Sequence, residues 1–201
     1  LNFLYADLLT DFLISQGFKL YIELGLMPSA LKKYDIFVLS RSSNYSVAAQ
    51  QEKWQKLVSG SIQHWITRYG LDTVRTWKFT TMGIHVFTEV TFDEFYTHYQ
   101  STWQAVKSVD PLLQFGGPGG FASIVWAADI LPDFFRFAED HGCFPDFITT
   151  QDYPHQNVED DIEFMNTSIS QDFLPTTLSG DRHFTRNLCT RLCQLMRAVD
   201  R

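Results

Sequence analysis

Four polar side chains lie where a parallel α/β fold would bind a ligand. Glu23 interrupts the apolar run 20–28, and a buried carboxylate requires a hydrogen-bonding or charged partner. His85, Tyr153 and His155 follow apolar segments, at the carboxyl ends where barrel-type sheets bind their ligands. We expect all four to contact a ligand. Two alternatives stay open: Glu23 in a structural ion pair or hydrogen bond, and His85 as a solvated loop residue.

Other arrangements that could do chemistry are weak in this sequence. No two His, Cys or carboxylate residues have the spacing of a metal site, so we expect no metal and no cofactor. No G-x-S-x-G nucleophile motif occurs. The Gly-rich run GGPGG (116–120) follows an apolar segment but lacks the spacing of a phosphate-binding loop. The pattern therefore disfavours metal-dependent, serine-hydrolase and nucleotide-binding chemistry.

Composition and charge narrow the protein class. The 201 residues include 16 Lys and Arg against 23 Asp and Glu, a formal net charge of −7, and 45% are hydrophobic. The hydrophobic content is sufficient for a folded core. The acidic net charge disfavours direct contact with nucleic acid, because such contacts need a basic face. No segment reaches the ~18–20 apolar residues of a membrane span, and no signal peptide is recognisable. Because the sequence opens on Leu1, we expect part of a longer chain.

The cysteines do not form a disulfide framework. Cys143 stands alone, and Cys189 and Cys193 are four residues apart, which is a helical spacing. We expect free thiols in a reducing compartment, and hence a cytoplasmic protein.

Hydrophobic periodicity predicts one helix followed by alternating strands and helices. The predicted helices are 3–16, 52–69, 92–109, 123–142 and 183–201, with a short one within 157–172. The predicted strands are 20–28, 73–79, 112–117, 145–154 and 172–179, and 29–50 is a long loop. Thr91 and Glu94 have the spacing of a capping box, and Pro132 predicts a break or kink near Leu131.

Several side chains are assigned to packing. One face of the first helix carries Phe3, Leu4, Leu8, Leu9, Phe12 and Leu13. The residues predicted to pack in the helical layer are Trp54, Trp65, Trp103 and Trp126, with His64 and His98 as packing or capping groups and Trp77 within a strand.

The alternation predicts a single α/β domain, residues 1–201, with a parallel sheet and helices outside it. A doubly wound sheet is disfavoured because the nucleotide-binding motifs are missing. A (β/α)8 TIM barrel needs ~250 residues, more than this chain has. We therefore expect a TIM-barrel-type fold that is incomplete.

Four segments are similar, in order and spacing, to the conserved runs of glycoside hydrolase family 39, the β-xylosidases and α-iduronidases. These segments are LNFLYADLLTDFLISQGFKLYIELGLMP (1–28), HWITRYGLDTVRTWKF (64–79), FYTHYQSTWQAVKSVDPLLQFGGP (95–118) and PDFITTQDYP (145–154). The resemblance covers roughly residues 1–190. It implies a (β/α)8 barrel of which this chain spans about strand 3 to helix 7.

The resemblance also locates the catalytic positions. Retaining glycosidases use two carboxyl groups ~5–5.5 Å apart, one as acid and one as nucleophile. In W-x-F-E-x-W-N-E-P, after strand 4 of the family, Trp77 and Phe79 match but the acid position is Ile84 and its Asn neighbour is Gly83. In L-T-E-W-N, after strand 7, the nucleophile position is Gly180. Both catalytic positions are therefore degenerate.

Other site positions match in part. The family His on strand 6 falls on Gln151, while the following Tyr153 and Pro154 match. Glu23, His85, Gln151, Tyr153 and His155 are the expected contacts to a xylose- or xyloside-like sugar.

The function that the resemblance implies is a carbohydrate-binding barrel without hydrolytic activity, such as a sugar-sensing domain appended to an AraC-type transcription regulator. One alternative is an active retaining β-xylosidase that uses shifted carboxylates, with Asp181 as the leading candidate and Glu89 and Asp93 beyond strand 4. Against it, Asp is one methylene shorter than Glu, and a ~1 Å misplacement can cost ~100-fold. The other alternative is a broken fragment without a ligand.

Overall fold

The computed structural model describes residues 2–36, 46–81, 90–117 and 124–149. The helices are α1 (Leu4–Ser15), α2 (Gln51–Tyr69), α3 (Leu71–Val74), α4 (Phe92–Val109) and α5 (Ile124–Asp140). The strands are β1 (Tyr21–Leu24), β2 (Lys78–Thr81) and β3 (Gln114–Gly116). Apart from the short α3, which follows α2 directly, strands and helices alternate along the described residues, as predicted.

The strands form one parallel sheet in the order β1-β2-β3. Residues paired across parallel strands point to the same face, and alternate residues point to opposite faces. The register therefore places four mostly polar residues of β1 and β2 on one face, called the inner face: Tyr21, Glu23, Lys78 and Thr80. The opposite face carries Ile22, Leu24, Phe79 and Thr81. Helices cover the opposite face, which is the (β/α) barrel arrangement expected from the sequence, with only part of a barrel present.

The core lies between the sheet and α2 and α4. Phe79 and Phe115 are fully buried; the ring of Phe79 lies 6.2 Å from that of Trp65 on α2, and the ring of Phe115 lies 5.2 Å from that of Tyr99 on α4. The two helices are linked directly, because Trp54 Nε1 donates to Thr102 Oγ1 over 2.8 Å. This aromatic layer holds the strands in place.

The helix predictions are confirmed to within a few residues. On α2 the buried residues are Trp54, Val58, Ile62 and Trp65, and α5 continues through Pro132 instead of breaking at Leu131. His64 and His98 pack as expected: His64 stacks on Phe3 at 3.9 Å and His98 is buried against Trp54.

The predicted strands 20–28 and 112–117 were too long at both ends, whereas the predicted strand 73–79 began too early and ended two residues too early. β1 ends at Leu24, because the chain turns through Leu26 with φ of 56°. β2 starts at Lys78 rather than at 73, since residues 71–74 form the short helix α3 after Gly70. Trp77 therefore precedes its strand, although it is buried as expected.

The segment 145–149 is not a strand in the structure, contrary to the prediction for 145–154, of which 150–154 lie outside the described residues. Two backbone hydrogen bonds join it to β3: Asp146 N–H to Phe115 O and Gly117 N–H to Phe147 O, both 2.9 Å. A regular parallel ladder would use the same residue for both bonds, and here they are offset by one. The offset explains why the segment follows the sheet without becoming a strand.

Helix α1 has the predicted bounds, but its apolar face is not buried. Leu4, Leu8, Leu9 and Phe12 are 58–60% exposed. The side that contacts the rest of the protein is mixed. Leu13 and Ile14 pack against the core, while Asp7 Oδ1 lies 2.8 Å from His64 Nε2 and Asp11 Oδ2 accepts from Arg68 over 2.6 Å.

The predicted capping box at the start of α4 is present. Glu94 N–H donates to Thr91 Oγ1 over 3.3 Å, and Thr91 N–H donates to Glu94 Oε2 over 2.9 Å. Glu94 also pairs with Lys33 and accepts from the Tyr34 hydroxyl over 2.7 Å. These groups, Lys33 first, lower the pKa of Glu94 to about 2.

We expect Glu94→Gln to remove a pH-dependent part of the stability. The pKa of Glu94 falls from 4.5 to about 2 on folding, so the unfolded state binds more protons between these values and stability falls with falling pH. Above pH ~5 the variant should be less stable by roughly 1 kcal/mol, the upper range for an exposed ion pair. The difference should vanish toward pH ~2 in urea unfolding followed across pH. Glu52→Gln, which removes an exposed α2 carboxylate, is the control and should leave the pH profile unchanged; a constant difference for Glu94→Gln would refute this account.

None of the described helices is long and apolar enough to cross a membrane. The predicted elements within 157–172, 172–179 and 183–201, and the side chain of Trp126, lie outside the described residues.

Candidate functional site

The site residues predicted from sequence fall mostly outside the described part. Glu23 is described, and so is Asp93, which is exposed in the first turn of α4. The residues outside the described part are Ile84, His85, Glu89, Gln151, Tyr153, His155, Gly180 and Asp181. The candidate site therefore consists of Glu23 and its neighbours on the inner face of the sheet.

Glu23 is exposed rather than buried on both sides, which corrects the sequence prediction. The reason is that β1 is at the edge of the sheet formed by the described residues and that Glu23 lies on the inner face, opposite the face covered by the helices. Within the described residues its carboxylate has no hydrogen bond and no ion pair, so the alternative of a structural ion pair gains no support. Partial desolvation by the surrounding chain raises the pKa of Glu23 above its usual value.

The neighbours of Glu23 form a mixed polar and aromatic surface. Thr80, its register partner on β2, is fully buried and donates to Gly116 O over 2.8 Å. Tyr21 donates through its hydroxyl to Thr149 Oγ1 over 3.3 Å. Desolvation, as the main cause, raises the pKa of the Tyr21 hydroxyl. Glu23 is thus an exposed hydrogen-bond acceptor on this face, whereas the hydroxyls of Thr80 and Tyr21 already donate hydrogen bonds within the protein.

The ring of Phe147 closes one end of this inner face. It lies 6.2 Å from the Tyr21 ring in an edge-on arrangement, and Lys78 Nζ lies 5.0 Å from its centroid. Burial lowers the pKa of Lys78, and a cation over an aromatic face is a favourable contact. Phe147 also covers Gly116, where a side chain would have no room. The inner face is therefore packed at the Lys78 level and more open at Glu23.

Two connections meet at the carboxyl ends of the strands. Lys33 and Tyr34 belong to the connection after β1, and Glu94 belongs to the first turn of α4, which follows β2. The contacts among these three residues hold the connections together. These contacts position the two connections at the carboxyl ends of the strands, which is the end of the sheet where barrels bind their ligands.

The described residues include no candidate metal site and no exposed thiol. No group of three His, Cys, Asp or Glu there could hold a metal ion. His98 is buried beside Gln51, and burial lowers its pKa to about 4, so it stays neutral near pH 7. Cys143 is a free, buried thiol whose pKa burial raises to about 11. Both are packing residues.

The sequence profile of glycosyl hydrolases family 39 matches residues 1–183. The chain belongs to glycosyl hydrolase family 39. A β-xylosidase of Geobacillus stearothermophilus is 33% identical over 166 residues, covering 77% of this chain and 32% of the relative. A β-xylosidase of Caldicellulosiruptor saccharolyticus is 30% identical over 184 residues, covering 90% of this chain and 36% of the relative. The chain thus spans about a third of the length of these curated family 39 relatives.

Solved family 39 structures share the fold. The structure of a GH39 β-xylosidase from Caulobacter crescentus superposes with a TM-score of 0.76 at 30% identity, covering 87% of this chain and 39% of that one. The family resemblance and the incomplete TIM-barrel fold are therefore confirmed.

Sequence reasoning missed part of the inner face. Tyr21 and Lys78 were treated as residues of apolar strands, and Thr80 was left outside the predicted strand 73–79, although all three share a face with Glu23. The signal was the period-2 pattern in Tyr21–Leu24, where polar and aliphatic residues alternate. An alternating strand has two different environments, and in β1 they are the inner face of the sheet and the face covered by the helices.

Proposed function

We propose that this chain is a carbohydrate-binding family 39 barrel that does not hydrolyse its ligand. The observation that carries the proposal is the replacement of both catalytic positions, by Ile84 and Gly180. Neither residue has a group that can donate a proton or attack an anomeric carbon, and the retaining mechanism needs both functions. The scaffold leading to the acid position is intact, since Trp77 and Phe79 match the family and are buried.

The ligand of the proposal is a small xylose- or xyloside-like sugar, because the relatives are named β-xylosidases. Glu23 supports it, as an exposed carboxylate acceptor on the inner face can bind sugar hydroxyls. The other contacts would come from His85, Gln151, Tyr153 and His155. Binding without turnover suits a sensing domain in the cytoplasm, such as one attached to an AraC-type regulator. Residues 1–201 would then be a single domain whose DNA-binding partner lies elsewhere in the gene product.

Turnover separates this proposal from an active β-xylosidase. The purified protein should release no nitrophenol from aryl β-xyloside above the buffer rate, and Asp181→Asn should behave identically. Turnover that Asp181→Asn abolishes would overturn the proposal in favour of a displaced nucleophile. Introducing both Ile84→Glu and Gly180→Glu should give a measurable trace of hydrolysis, because the flanking residues match the family.

Binding separates the proposal from a fragment without a ligand. Xylose and xylobiose titrations followed by NMR should show saturable binding, weakened about tenfold by Glu23→Gln, since hydrogen bonds to charged groups contribute ~1.5–3 kcal/mol. Glu52→Gln, on the exposed side of α2, is the matched control and should bind as the wild type does. Absence of binding by folded wild-type protein would refute the proposal.

A further inference from the structure

The connection between β1 and α2 is fixed to the core near both of its ends. Lys33 N–H donates to Val47 O over 3.0 Å, and Ser46 Oγ accepts from Tyr34 N–H over 2.8 Å. These bonds join an early part of the connection to a late part. Val47 and Ala48 are buried, so the paired backbone is held against the core. The position of Tyr34 is therefore set by its own connection.

The carboxylate of Glu94 is fixed separately, by the first turn of α4. Glu94 Oε2 accepts from Thr91 N–H over 2.9 Å and from the Thr91 hydroxyl over 3.1 Å. The next residue, Phe95, is buried, which holds this turn against the core. Thr91 is the last residue before α4, so the Glu94 carboxylate binds the end of the connection that follows β2.

A side-chain bridge joins these two separately anchored connections. The Tyr34 hydroxyl donates to Glu94 Oε1 over 2.7 Å; we call this contact the Tyr34–Glu94 bridge. Lys33 Nζ pairs with the same oxygen and lies 5.3 Å from the centroid of the Tyr34 ring. Because each connection has its own anchors, loss of the bridge should let one connection move relative to the other without unfolding either.

We propose that Tyr34 and Glu94 are positioning residues for sugar binding: their bridge sets the relative position of the connections after β1 and β2. The inference rests on the proposed function. Barrels bind their ligands through the connections at the carboxyl ends of the strands. Affinity increases when such contacts are already in place before the ligand arrives. The Tyr34–Glu94 bridge therefore contributes to affinity without contacting the sugar.

Tyr34→Phe in the full gene product tests the bridge with a minimal change. The variant removes the hydroxyl, but it keeps the ring beside Lys33 and the capping box of Thr91 and Glu94. The dissociation constant for xylobiose, measured by NMR titration, should rise about fivefold, as expected for the loss of one hydrogen bond to a charged group and the order that it imposes. An unchanged dissociation constant would overturn the positioning role.

Tyr69→Phe is the matched control, because it removes the same kind of contact elsewhere. The Tyr69 hydroxyl donates to Asp11 Oδ1 over 2.8 Å, and Asp11 also pairs with a cation, Arg68. Tyr69 is the last residue of α2, which leads through α3 to the start of β2, at the opposite end of the sheet from the ligand. The two variants should lower the urea midpoint alike, but Tyr69→Phe should bind xylobiose as the wild type does. Equal losses of affinity in both variants would mean that only general stability is involved, contrary to the proposal.

A double-mutant cycle shows whether Tyr34 acts through Glu94. With Glu94→Ala in place, adding Tyr34→Phe should weaken xylobiose binding by less than about twofold, since residues that act through one contact are not additive. The full fivefold effect in that background would overturn the proposal, because Tyr34 would then act on the ligand by itself. Wild-type protein that binds no xylobiose would refute the proposed function and this inference together. Binding that is the same in wild type and Tyr34→Phe would refute the positioning role alone.

Discussion

Gly116→Ala is expected to lower the free energy of unfolding by about 3 kcal/mol, the upper range for overpacking a core. A Cβ at this position would lie 2.7 Å from Phe147 Cγ and 2.8 Å from Phe147 Cδ1, and closer still to the carbonyl oxygen of Phe147. That oxygen is held by the hydrogen bond from Gly117 N–H. The backbone of 145–149 must therefore shift, and the closure of the inner face by Phe147 is lost with it.

Urea unfolding of the wild type and the variant measures this loss. Gly142→Ala is the matched control, because a Cβ there meets nothing within 4 Å and only the positive φ of +62° is unfavourable. The control should cost about 1 kcal/mol, as left-handed backbone does for a residue with a side chain. If Gly116→Ala cost no more than Gly142→Ala, Phe147 would not lie against β3 as described.

Phe79→Ala should destabilise the protein by about 4 kcal/mol, within the usual range for truncating a buried aromatic residue. Phe79 is fully buried in β2, and its ring lies 6.2 Å from that of Trp65 and 6.4 Å from that of Trp77. Removing it leaves a cavity between the sheet and α2 and removes two aromatic contacts.

Equilibrium unfolding with fluorescence of the tryptophans as the probe measures the effect of Phe79→Ala. Phe79→Leu should recover more than half of the lost stability, since it refills most of the volume. Leu112→Ala removes a side chain that is 64% exposed and should change stability by less than about 0.5 kcal/mol. A small effect of Phe79→Ala would contradict the packing of β2 on α2.

The helices could be predicted from sequence because their signals are local. The apolar spacing of Trp54, Val58, Ile62 and Trp65 defines the buried side of α2, and the Thr91 capping box marks the start of α4. The strands could be predicted only approximately. Val74 is β-branched and apolar, which is typical of a strand, yet it lies in α3 and is fully buried, because tertiary packing overrides such local propensity.

The side of α1 that would be buried could not be predicted from periodicity. The predicted apolar face is divided: Phe3 and Leu13 contact the rest of the protein, whereas its other four residues are exposed on the side away from the contacts of Asp7 and Asp11 with α2. Pattern alone identifies which residues share a face and not which neighbour covers it.

The candidate site stays a prediction. Glu23 was singled out as a polar residue in an apolar run, and its burial was misjudged because the position of β1 at the edge of the described sheet depends on the sheet order. The predictions for His85, Gln151, Tyr153, His155 and Asp181 remain predictions. The family could be inferred because four separate segments matched in order.

The two faces of β2 also bear on how such a protein can diverge. Phe79 and Thr81 lie on the face covered by the helices, while Lys78 and Thr80 lie on the inner face. A substitution at an exposed interior position such as Glu23 leaves the contact of Phe79 with the helix layer in place, so the ligand chemistry can change there while the packing of the sheet on the helices is retained. A barrel with two such faces can lose its reactive carboxylates by single substitutions and remain folded at each step.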